Sequence, residues 1–390
     1  MVLLVLSETA LGGTRRLRDA RLGVLDATLV VIVRQQAADE FQIEETFWGD
    51  KKRGDSLQLP GFRLFTVPED GPDIVEPIST GTRILLFLRP ASAEASRWEI
   101  TDYGHCFFWV QEPGRIFELR NTALQAVAMR RRWEEAASVP DPLRRVEALW
   151  PFLRLREYGT SFLEHTKLEL RKIGPVAGDY FAEQFDAMSH DDRSELYYES
   201  GSYGSEKLHQ RMILQLKTQQ RAYEGFLAVH GLDGKAFLQN WNSVPQDVRD
   251  AYHEIPSLLY GLASISNRAD LPLIREVAVW AVENKVDQAR EMTLMNFRVM
   301  PDRENLPGID AIWKDAEQHE GQDKEIILHD VIGALCAHRF PETVPLLAPF
   351  VTHPYAGPEV EDALTQIVGK DLGRNPNSWV DWYQARKPRE

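Results

Sequence analysis

From about residue 271 onward the apolar positions follow the helical period, and one pattern recurs along the chain. Three segments open with an aliphatic residue followed by proline, at Leu271, Leu306 and Val344, which lie 35 and 38 residues apart. Proline is tolerated in the first turn of a helix because its missing N–H would have no intrahelical partner there. A second amphipathic helix fits between each pair of openings. The recurrence predicts a stacked array of helical pairs that bury each other's apolar faces.

The helical period begins well before this array. It predicts helices over residues 120–137, 142–156, 161–172, 175–188, 205–230 and 247–265, and again over 272–283 and 324–339. In the last of these, one apolar stripe is formed by Ile327, Val331, Ala334 and Leu335. The polar, tyrosine-rich stretch 189–204 is predicted to be a long loop.

Residues 1–120 have the composition of short strands instead. Apolar runs and apolar–polar alternation predict strands over 28–33, 41–47, 56–59, 84–88, 106–111 and 115–119. Residues 62–81 carry Pro68, Pro72 and Pro77 and are predicted to be a loop with at most one edge strand. Residues 15–25 are the one helical candidate. Short strands joined by turns favour a small barrel or sandwich.

The order of these strands carries a family resemblance. A first strand follows the acidic–alanine pair Asp26-Ala27, and the stretches at 41–49, 54–57 and 81–88 come after it. This order resembles the netrin/TIMP-like OB-type barrel of many bacterial proteins, which implies a small β-barrel over about a third of the chain. Trp48-Gly49 stands where that family usually has lysine-glycine. The N-terminal cysteine with which its metalloproteinase inhibitors reach zinc is absent, so the inhibitor role is not carried over.

The end of the chain has the pattern of a cap on a helical array. Asn375 precedes Pro376 as a capping residue precedes a first-turn proline. Trp379 and Trp382 lie at i and i+3, where they can cover the last open face of a stack. With the proline-opened segments, this run resembles bacterial HEAT-repeat proteins over residues 142–383. The resemblance implies an α-solenoid.

Together these patterns predict an α+β multidomain protein, with a small N-terminal OB-like β-barrel followed by an all-α HEAT-like solenoid. The expected domains are the netrin/TIMP-like barrel at residues 1–120, a helical linker with first, irregular pairs at 121–255, and the solenoid with its C-terminal cap at 256–390.

Composition limits the function classes. The 390 residues are 43% hydrophobic and 27% charged, which is typical of globular proteins. The net charge of −14 opposes attraction to nucleic acid or anionic lipid, so no nucleic-acid partner is expected. No apolar run approaches the roughly 20 residues of a spanning helix, and the start lacks the basic flank of a signal peptide. A cytoplasmic location, or an exported one if the N-terminus is truncated, stays open.

Signatures of catalysis are lacking. None of the common nucleotide, serine-hydrolase or zinc-helix motifs occurs, and no catalytic residue, metal site or cofactor is predicted. Three weaker constellations each have a plainer interpretation, as a helix start, as core and surface residues, or as a buried strand cysteine. They are His190-Asp191-Asp192 with Glu195, the set His329, Cys336 and His338, and Cys106.

Two surface features are candidates for binding. A basic patch at the junction of the two halves would dock an acidic partner, and the alternative is a solvated helix face. Tyrosines in the glycine-flanked 189–204 loop would present rigid contact area, and the alternative is packing onto the array. The candidate residues are Arg130, Arg131, Arg132, Arg144 and Arg145 in the patch, and Tyr197, Tyr198 and Tyr203 in the loop.

The expected function is therefore non-catalytic binding of an unknown protein or peptide on the solenoid surface. One alternative is a hydrolase or metal-dependent enzyme at the barrel–solenoid junction, which would use the acidic residues around Asp191. The other is binding of single-stranded nucleic acid by the OB-like barrel through Phe107, Phe108 and Trp109, which the net charge opposes.

Overall fold

The computed structural model describes residues 24–37, 39–59, 64–66, 74–76, 81–91, 98–100, 107–110, 116–154, 160–318 and 322–386. The chain divides into two compact units, Met1–Ile173 and Gly174–Glu390. The helices that directly follow the sheet therefore group with it in the first unit, whereas the sequence analysis placed a boundary after residue 120. The helical candidate at 15–25 lies almost entirely outside the described residues.

The first unit contains a curled antiparallel sheet that forms a half-barrel. Its strand order is β3-β2-β1-β6-β7, and β8 pairs with β6 beside β7. A separate hairpin, β4–β5, lies within the stretch predicted to be a loop. The strands are β1 Leu29–Ala37, β2 Glu40–Trp48, β3 Ser56–Gln58, β4 Leu64–Thr66, β5 Ile74–Glu76, β6 Arg83–Pro90, β7 Trp98–Ile100 and β8 Phe107–Val110.

Strand β1 is buried on both faces, which explains its continuous apolar run. Alternate residues such as Val30 and Ile32 pack with Leu85 and Phe87 against the first helix. The residues between them, such as Val31, point to the other face and pack in a second core with Phe41, Ile43 and Leu57. The predicted strands at 28–33, 41–47, 56–59 and 84–88 are confirmed, and β8 confirms residues 107–110 of the strand predicted at 106–111.

The strand predicted at 115–119 is wrong, because helix α1 begins at Ile116. Leu119, Ala123, Ala126 and Val127 are buried and recur at i, i+4, i+7 and i+8, so the helical period runs through the stretch. Because these four residues pack against the sheet at helical spacing, the segment is helical from Ile116 onward. The helices of the first unit are α1 Ile116–Ala137, α2 Pro142–Leu153 and α3 Thr160–Ile173.

The second unit is helical throughout its described residues. The predicted repeats are confirmed, since helices begin at Leu271, Leu306 and Val344 and a second helix lies between each pair. The third opening is short and continues as the 3-10 helix Ala348–Thr352. The helices are α4 Pro175–Gln184, α5 His190–Tyr203, α6 Glu206–His230, α7 Gly234–Gln239, α8 Gln246–Ile265, α9 Leu271–Glu283, α10 Asp287–Val299, α11 Leu306–Ala316, α12 Gln322–Ala337, α13 Val344–Leu347, α14 Gly357–Val368 and α15 Pro376–Gln384.

The long loop predicted at 189–204 is wrong, because most of it is helix α5. Ser189 caps the helix by accepting a hydrogen bond from Asp192 N at 3.1 Å, and Gly204 ends it in the left-handed region. The helix has no clear apolar stripe and buries polar residues such as Glu199 and Ser200. Tertiary hydrogen bonds stabilise it where the hydrophobic pattern does not.

The helix start predicted at Asn375 is confirmed. Asn375 accepts a hydrogen bond from Asn377 N at 3.1 Å, and Pro376 opens α15. Trp379 is completely buried, and its indole N–H donates to Gly373 O at 2.7 Å. Within the described residues, no helix combines the length and the apolar character needed to cross a membrane.

We expect Leu335→Asp to unfold the array. Leu335 is completely buried on α12, and an unpaired carboxylate there should lower the free energy of unfolding by at least about 3 kcal/mol. Ile326 on the same helix is 45% exposed, so Ile326→Asp is the matched control and should change stability by under about 1 kcal/mol. Urea unfolding of both variants is the measurement. Equal midpoints would show that the stripe does not face the core.

The contact between α5 and α8 depends on a glycine. A Cβ added to Gly201 would lie 2.3 Å from Ser264 O, so the helices would have to separate. We expect Gly201→Ala to lower thermal stability by about 1–3 kcal/mol. Gly225 is exposed on α6 with open space around it, and Gly225→Ala should raise stability by about 0.5–1 kcal/mol. Stabilisation by both substitutions in calorimetry would contradict the close approach.

Candidate binding surfaces

Arg130 from the predicted basic patch acts mainly as an anchor within the first unit. Its side chain is only 15% exposed, and its Nη1 donates to Val24 O at 2.8 Å and to Ala27 O. Its Nε donates to Glu134 at 2.8 Å, and the guanidinium lies 4.4 Å from the centre of the Trp48 ring. Most of its hydrogen-bonding capacity is therefore used inside the protein.

The other four arginines differ in how far they are engaged. Arg131 is exposed and lies 6.0 Å from the same Trp48 ring. Arg145 donates to Val139 O at 2.6 Å, so it secures the turn before α2. Arg132 and Arg144 are exposed. The structure thus brings Arg130 and Arg131 together at one tryptophan, and the docking role of the patch stays a prediction.

A cleft of about 830 Å³ opens beside this tryptophan in the first unit. Arg131 and Lys51 supply positive charge to its lining, whereas Asp50 supplies a negative charge. A half-buried indole with nearby cations can stack on a planar or anionic group. The remaining lining residues are Thr28, Thr46, Phe47, Trp48, Gly49, Pro90 and Trp98.

The three candidate tyrosines lie on a helix, and two of them point into the protein. Tyr197 and Tyr203 are buried, which rules out direct contact with a partner. Tyr198 is 50% exposed, and its ring centre lies 4.7 Å from that of Tyr260. Of the predicted aromatic contact surface, only Tyr198 is accessible.

Tyr197 belongs to a buried hydrogen-bond network around Glu254 of α8. The Glu254 side chain is completely buried. Its Oε1 accepts hydrogen bonds from Arg193 Nε and from the Tyr197 hydroxyl, both at 2.6 Å. Its Oε2 accepts from Arg193 at 3.1 Å, from Gln215 at 3.1 Å and from Gln219 at 2.6 Å. One carboxylate thereby joins helices α5, α6 and α8.

These contacts set the ionisation of the network. Burial alone would raise the pKa of Glu254, but polar groups of His190, Arg193 and Tyr197 stabilise the carboxylate and lower its pKa to about 2. The carboxylate in turn raises the pKa of His190, whose Nδ1 lies 3.9 Å from Oε2. Glu254 is therefore charged and fully engaged at neutral pH, as a structural carboxylate is.

The residues considered for catalysis or metal binding are placed differently. Asp191 and Asp192 occupy the first turn of α5, where acidic residues are favourable. His329 is largely exposed, whereas His338 is buried with Nδ1 donating to Ala334 O at 2.7 Å. Within the described ranges, no group of three or more His, Cys, Asp or Glu residues is arranged to hold a metal ion.

Two of the earlier candidates fall in less described stretches. Cys106 lies outside the described residues, and Phe107 to Trp109 are described as backbone of β8 only. Burial raises the pKa of the other cysteine, Cys336, to about 12, so its thiol is protonated at neutral pH.

The repeats of the second unit form a surface that the sequence analysis missed. We call it the arginine ledge, a cleft of about 590 Å³ at the turns before α9, α11 and α13. Arg268, Arg303 and Arg339 are exposed, and each comes from a different turn. The lining residues are Arg268, Pro301, Asp302, Arg303, Glu304, Ala337, Arg339 and Phe340.

The two carboxylates of the ledge are already paired with Arg275 of α9. Arg275 Nη2 donates to Asp302 Oδ1 at 3.0 Å, and its Nη1 bonds Glu304. Its Nε donates to Asn305 Oδ1 at 3.0 Å. A single guanidinium thus holds both acidic side chains by hydrogen bonds, which offsets part of their charge and directs them away from the arginines lining the cleft.

The lining arginines are held more loosely. Arg303 lies 5.3 Å from the centre of the Phe340 ring and 3.7 Å from the Glu342 carboxylate. Arg268 donates to Pro301 O at 3.4 Å, which is a weak contact. Among the described residues, Arg339 makes no hydrogen bond or ion pair. The ledge therefore presents guanidinium groups with donors available to a ligand.

Buried polar residues fix the backbone behind the ledge. Asn305 is completely buried and donates to Met300 O at 3.0 Å, and its Nδ2 lies 3.3 Å from His338 Nε2. Burial lowers the pKa of His338, so it is neutral at pH 7 and Nε2 can accept this hydrogen bond. In the preceding turn Asp270 is buried in the same position, 2.7 Å from His209 Nε2.

A signal for this surface was present in the sequence. Arg268 and Arg303 each stand three residues before a repeat-opening leucine, so they occupy the same position of successive repeats. Arg339 stands five residues before Val344 and has no equivalent spacing. The repeat spacing could have predicted that Arg268 and Arg303 lie on one surface. The position of Arg339 is seen only in the tertiary structure.

Because the pKa of Glu254 falls from 4.5 to about 2 on folding, stability should depend on acid pH. Above about pH 4.5 the carboxylate is ionised in both states and its stabilisation is complete. As the pH falls towards about 2, the unfolded state takes up the proton first, and about 3 kcal/mol should be lost. Urea unfolding at several pH values is the measurement. Glu254→Gln should lack this part of the pH dependence, and equal slopes for both proteins would contradict the assignment.

Because comparisons with known proteins give no match, the function of this chain is inferred from its own side chains. No protein-family model matches the sequence. Searches among curated proteins and among solved structures likewise give no match.

Proposed function

We propose that this protein is a non-catalytic interaction protein whose helical repeats bind a protein or peptide partner at the arginine ledge. The observation that carries the proposal is that three consecutive repeat turns contribute exposed arginines to one cleft of about 590 Å³. Helical arrays typically bind partners on surfaces built from successive repeats. The mechanism is equilibrium binding without a covalent step.

The size and chemistry of the ledge suit this role. Its volume lies within the roughly 300–1,000 Å³ of typical ligand clefts. Arginine and aromatic side chains are enriched among residues that dominate binding energy, and the ledge contains Arg303 stacked on Phe340. Pro301 and Ala337 add apolar surface beside them.

The ledge also has the rigidity that binding favours. Asp302 accepts a hydrogen bond from Glu304 N at 2.9 Å and an ion pair from Arg275, so the turn is held from two sides. Asn305 secures the same turn from beneath. A preformed surface loses less conformational entropy on binding than a mobile one.

We further propose that the array is HEAT-like and that the half-barrel is related to the netrin/TIMP-like OB-type barrels. The proline-opened repeats at Leu271, Leu306 and Val344 support the first resemblance. The order of the strands within residues 29–90 supports the second. Both resemblances are consistent with a scaffold that presents binding surfaces. The accessible arginines Arg131, Arg132 and Arg144 are a further proposed contact region for the same class of partner.

The ledge is a better candidate than the Trp48 cleft because it presents more arginines. In the Trp48 cleft, Arg131 and Lys51 lie beside Asp50. In the ledge, three exposed arginines line the cleft, and its two carboxylates are hydrogen-bonded by Arg275, which does not line it. A partner therefore meets three guanidinium groups at the ledge and one at the Trp48 cleft.

Site-specific crosslinking tests this proposal. A benzoylphenylalanine in place of Phe340 keeps an aromatic ring in the ledge, and we expect it to crosslink a partner in an extract of the source cells. Arg303→Glu in the same chain should reduce the yield at least about tenfold, since reversal of a contact charge commonly costs more than about 1.4 kcal/mol. Mass spectrometry identifies the crosslinked protein.

Tyr355 provides the control position. It is 89% exposed in the second unit and does not line the ledge. The same photoreactive residue there should give no enrichment of that partner. Equal crosslinking from positions 340 and 355, or none from position 340, would contradict binding at the ledge.

A further inference from the structure

We infer that the segment recognised at the ledge is acidic, a short stretch of a partner protein that carries several Asp or Glu residues around one apolar side chain. The inference rests on the proposed function and names the chemistry of its partner. Three features of the ledge support it, namely the charge of its lining, the position of Arg303 and the apolar surface beside the arginines.

The first step is the imbalance of charge among the lining side chains. Arg268, Arg303 and Arg339 project donors, whereas the Asp302 and Glu304 carboxylates are occupied by Arg275. Guanidinium groups bind carboxylates in a forked geometry with two parallel hydrogen bonds. A segment with several carboxylates would satisfy donors that the described side chains leave available.

The second step is the position of Arg303. Its guanidinium rests 5.3 Å from the centre of the Phe340 ring, and the Glu342 carboxylate lies at 3.7 Å, beyond an ordinary hydrogen bond. Stacking on an aromatic face orients the guanidinium plane while the N–H edges stay accessible. An incoming carboxylate therefore meets an arginine that has already lost part of its freedom.

The third step separates an acidic peptide from nucleic acid, which arginines also bind. Apolar surface from Pro301, Ala337 and Phe340 fits an apolar side chain between the carboxylates of a peptide. A nucleic acid offers no such side chain, and its continuous run of phosphates is opposed by the whole-chain charge of −14.

The same overall charge gives the ledge selectivity. An acidic segment is repelled by most of a protein with a net charge of −14, so a local positive cluster becomes its preferred point of encounter. Above about 0.1 M salt the long-range repulsion is largely screened, so further salt should mainly weaken the short-range attraction at the ledge.

Fluorescence anisotropy with defined peptides tests the inference on the full chain. The probes are a labelled ten-residue peptide of Asp and Glu around one Phe, the same peptide with Gln or with Lys in place of the acids, and a ten-nucleotide single-stranded DNA. We expect the acidic peptide to bind at least about tenfold more tightly than the Gln peptide. Raising the salt concentration should weaken its binding, and the Lys peptide and the DNA should not bind.

Matched variants locate the binding. Arg303→Glu with Arg339→Glu reverses one stacked and one unpaired arginine of the ledge, and it should weaken the acidic peptide at least about tenfold. Arg386→Glu with Arg221→Glu is the control, because Arg386 is exposed and lies 4.3 Å from the centre of the Trp382 ring, and Arg221 is exposed on α6. The control has the same change in net charge and should alter the affinity less than about twofold. Arg303→Lys keeps the charge but loses the stacked fork, so it should fall between the two.

Each other outcome overturns the inference in a distinct way. Equal affinity for the acidic and Gln peptides would show that charge does not select the partner. Tighter binding of the DNA would make nucleic acid the ligand. Equal loss in both variant pairs would mean that overall charge acts, not the ledge. Crosslinking of a partner at position 340 without binding of the acidic peptide would leave the proposed function standing and reject its acidic partner.

Discussion

A buried charge has to be satisfied by its neighbours, and this constraint holds the second unit together. Glu254 can lie completely buried because Arg193, Tyr197 and two glutamines surround its carboxylate. The groups come from three helices, so none of these helices can move without exposing or orphaning the charge. Arg290 of α10, also completely buried, lies 2.6 Å from Asp315 and ties the next repeats in the same way.

At the repeat turns, buried polar groups are likewise satisfied by hydrogen bonds to their neighbours, and the ledge depends on this arrangement. Each repeat opens with a buried polar residue ahead of its proline helix, Asp270 in one turn and Asn305 in the next. Asn305 holds the backbone of its turn from inside, and Arg275 forms ion pairs with the acidic groups outside. Arginines on a turn fixed in this way are exposed because interior contacts are made by other residues. Rigidity and charge thus come from different side chains of the same repeat.

Two errors show where hydrophobic pattern stops being informative. The loop predicted at 189–204 is mostly helix α5, because its buried face mixes hydrogen-bonded polar groups with tyrosines and includes a close glycine contact at Ser264. A pattern of apolar residues cannot report on such a face. Residues 116–119 of the strand predicted at 115–119 are part of α1, since four buried positions at helical spacing outweigh a short local preference. The sequence left open whether Tyr197 and Tyr203 contact a partner or pack onto the array, and the structure shows that both are buried.

By itself the sequence determined the strand-then-helix order, the proline-opened repeats and the helix start at Asn375, because these depend on local periodicity and on backbone chemistry at single positions. Only the tertiary structure decided which polar groups are buried and which meet a ligand. Arg130 and Arg131 are neighbours in the sequence, yet one is an anchor and the other is exposed. Arg303 and Arg339 are 36 residues apart, yet they line one cleft. Contacts between distant residues set these roles, and no local pattern encodes them.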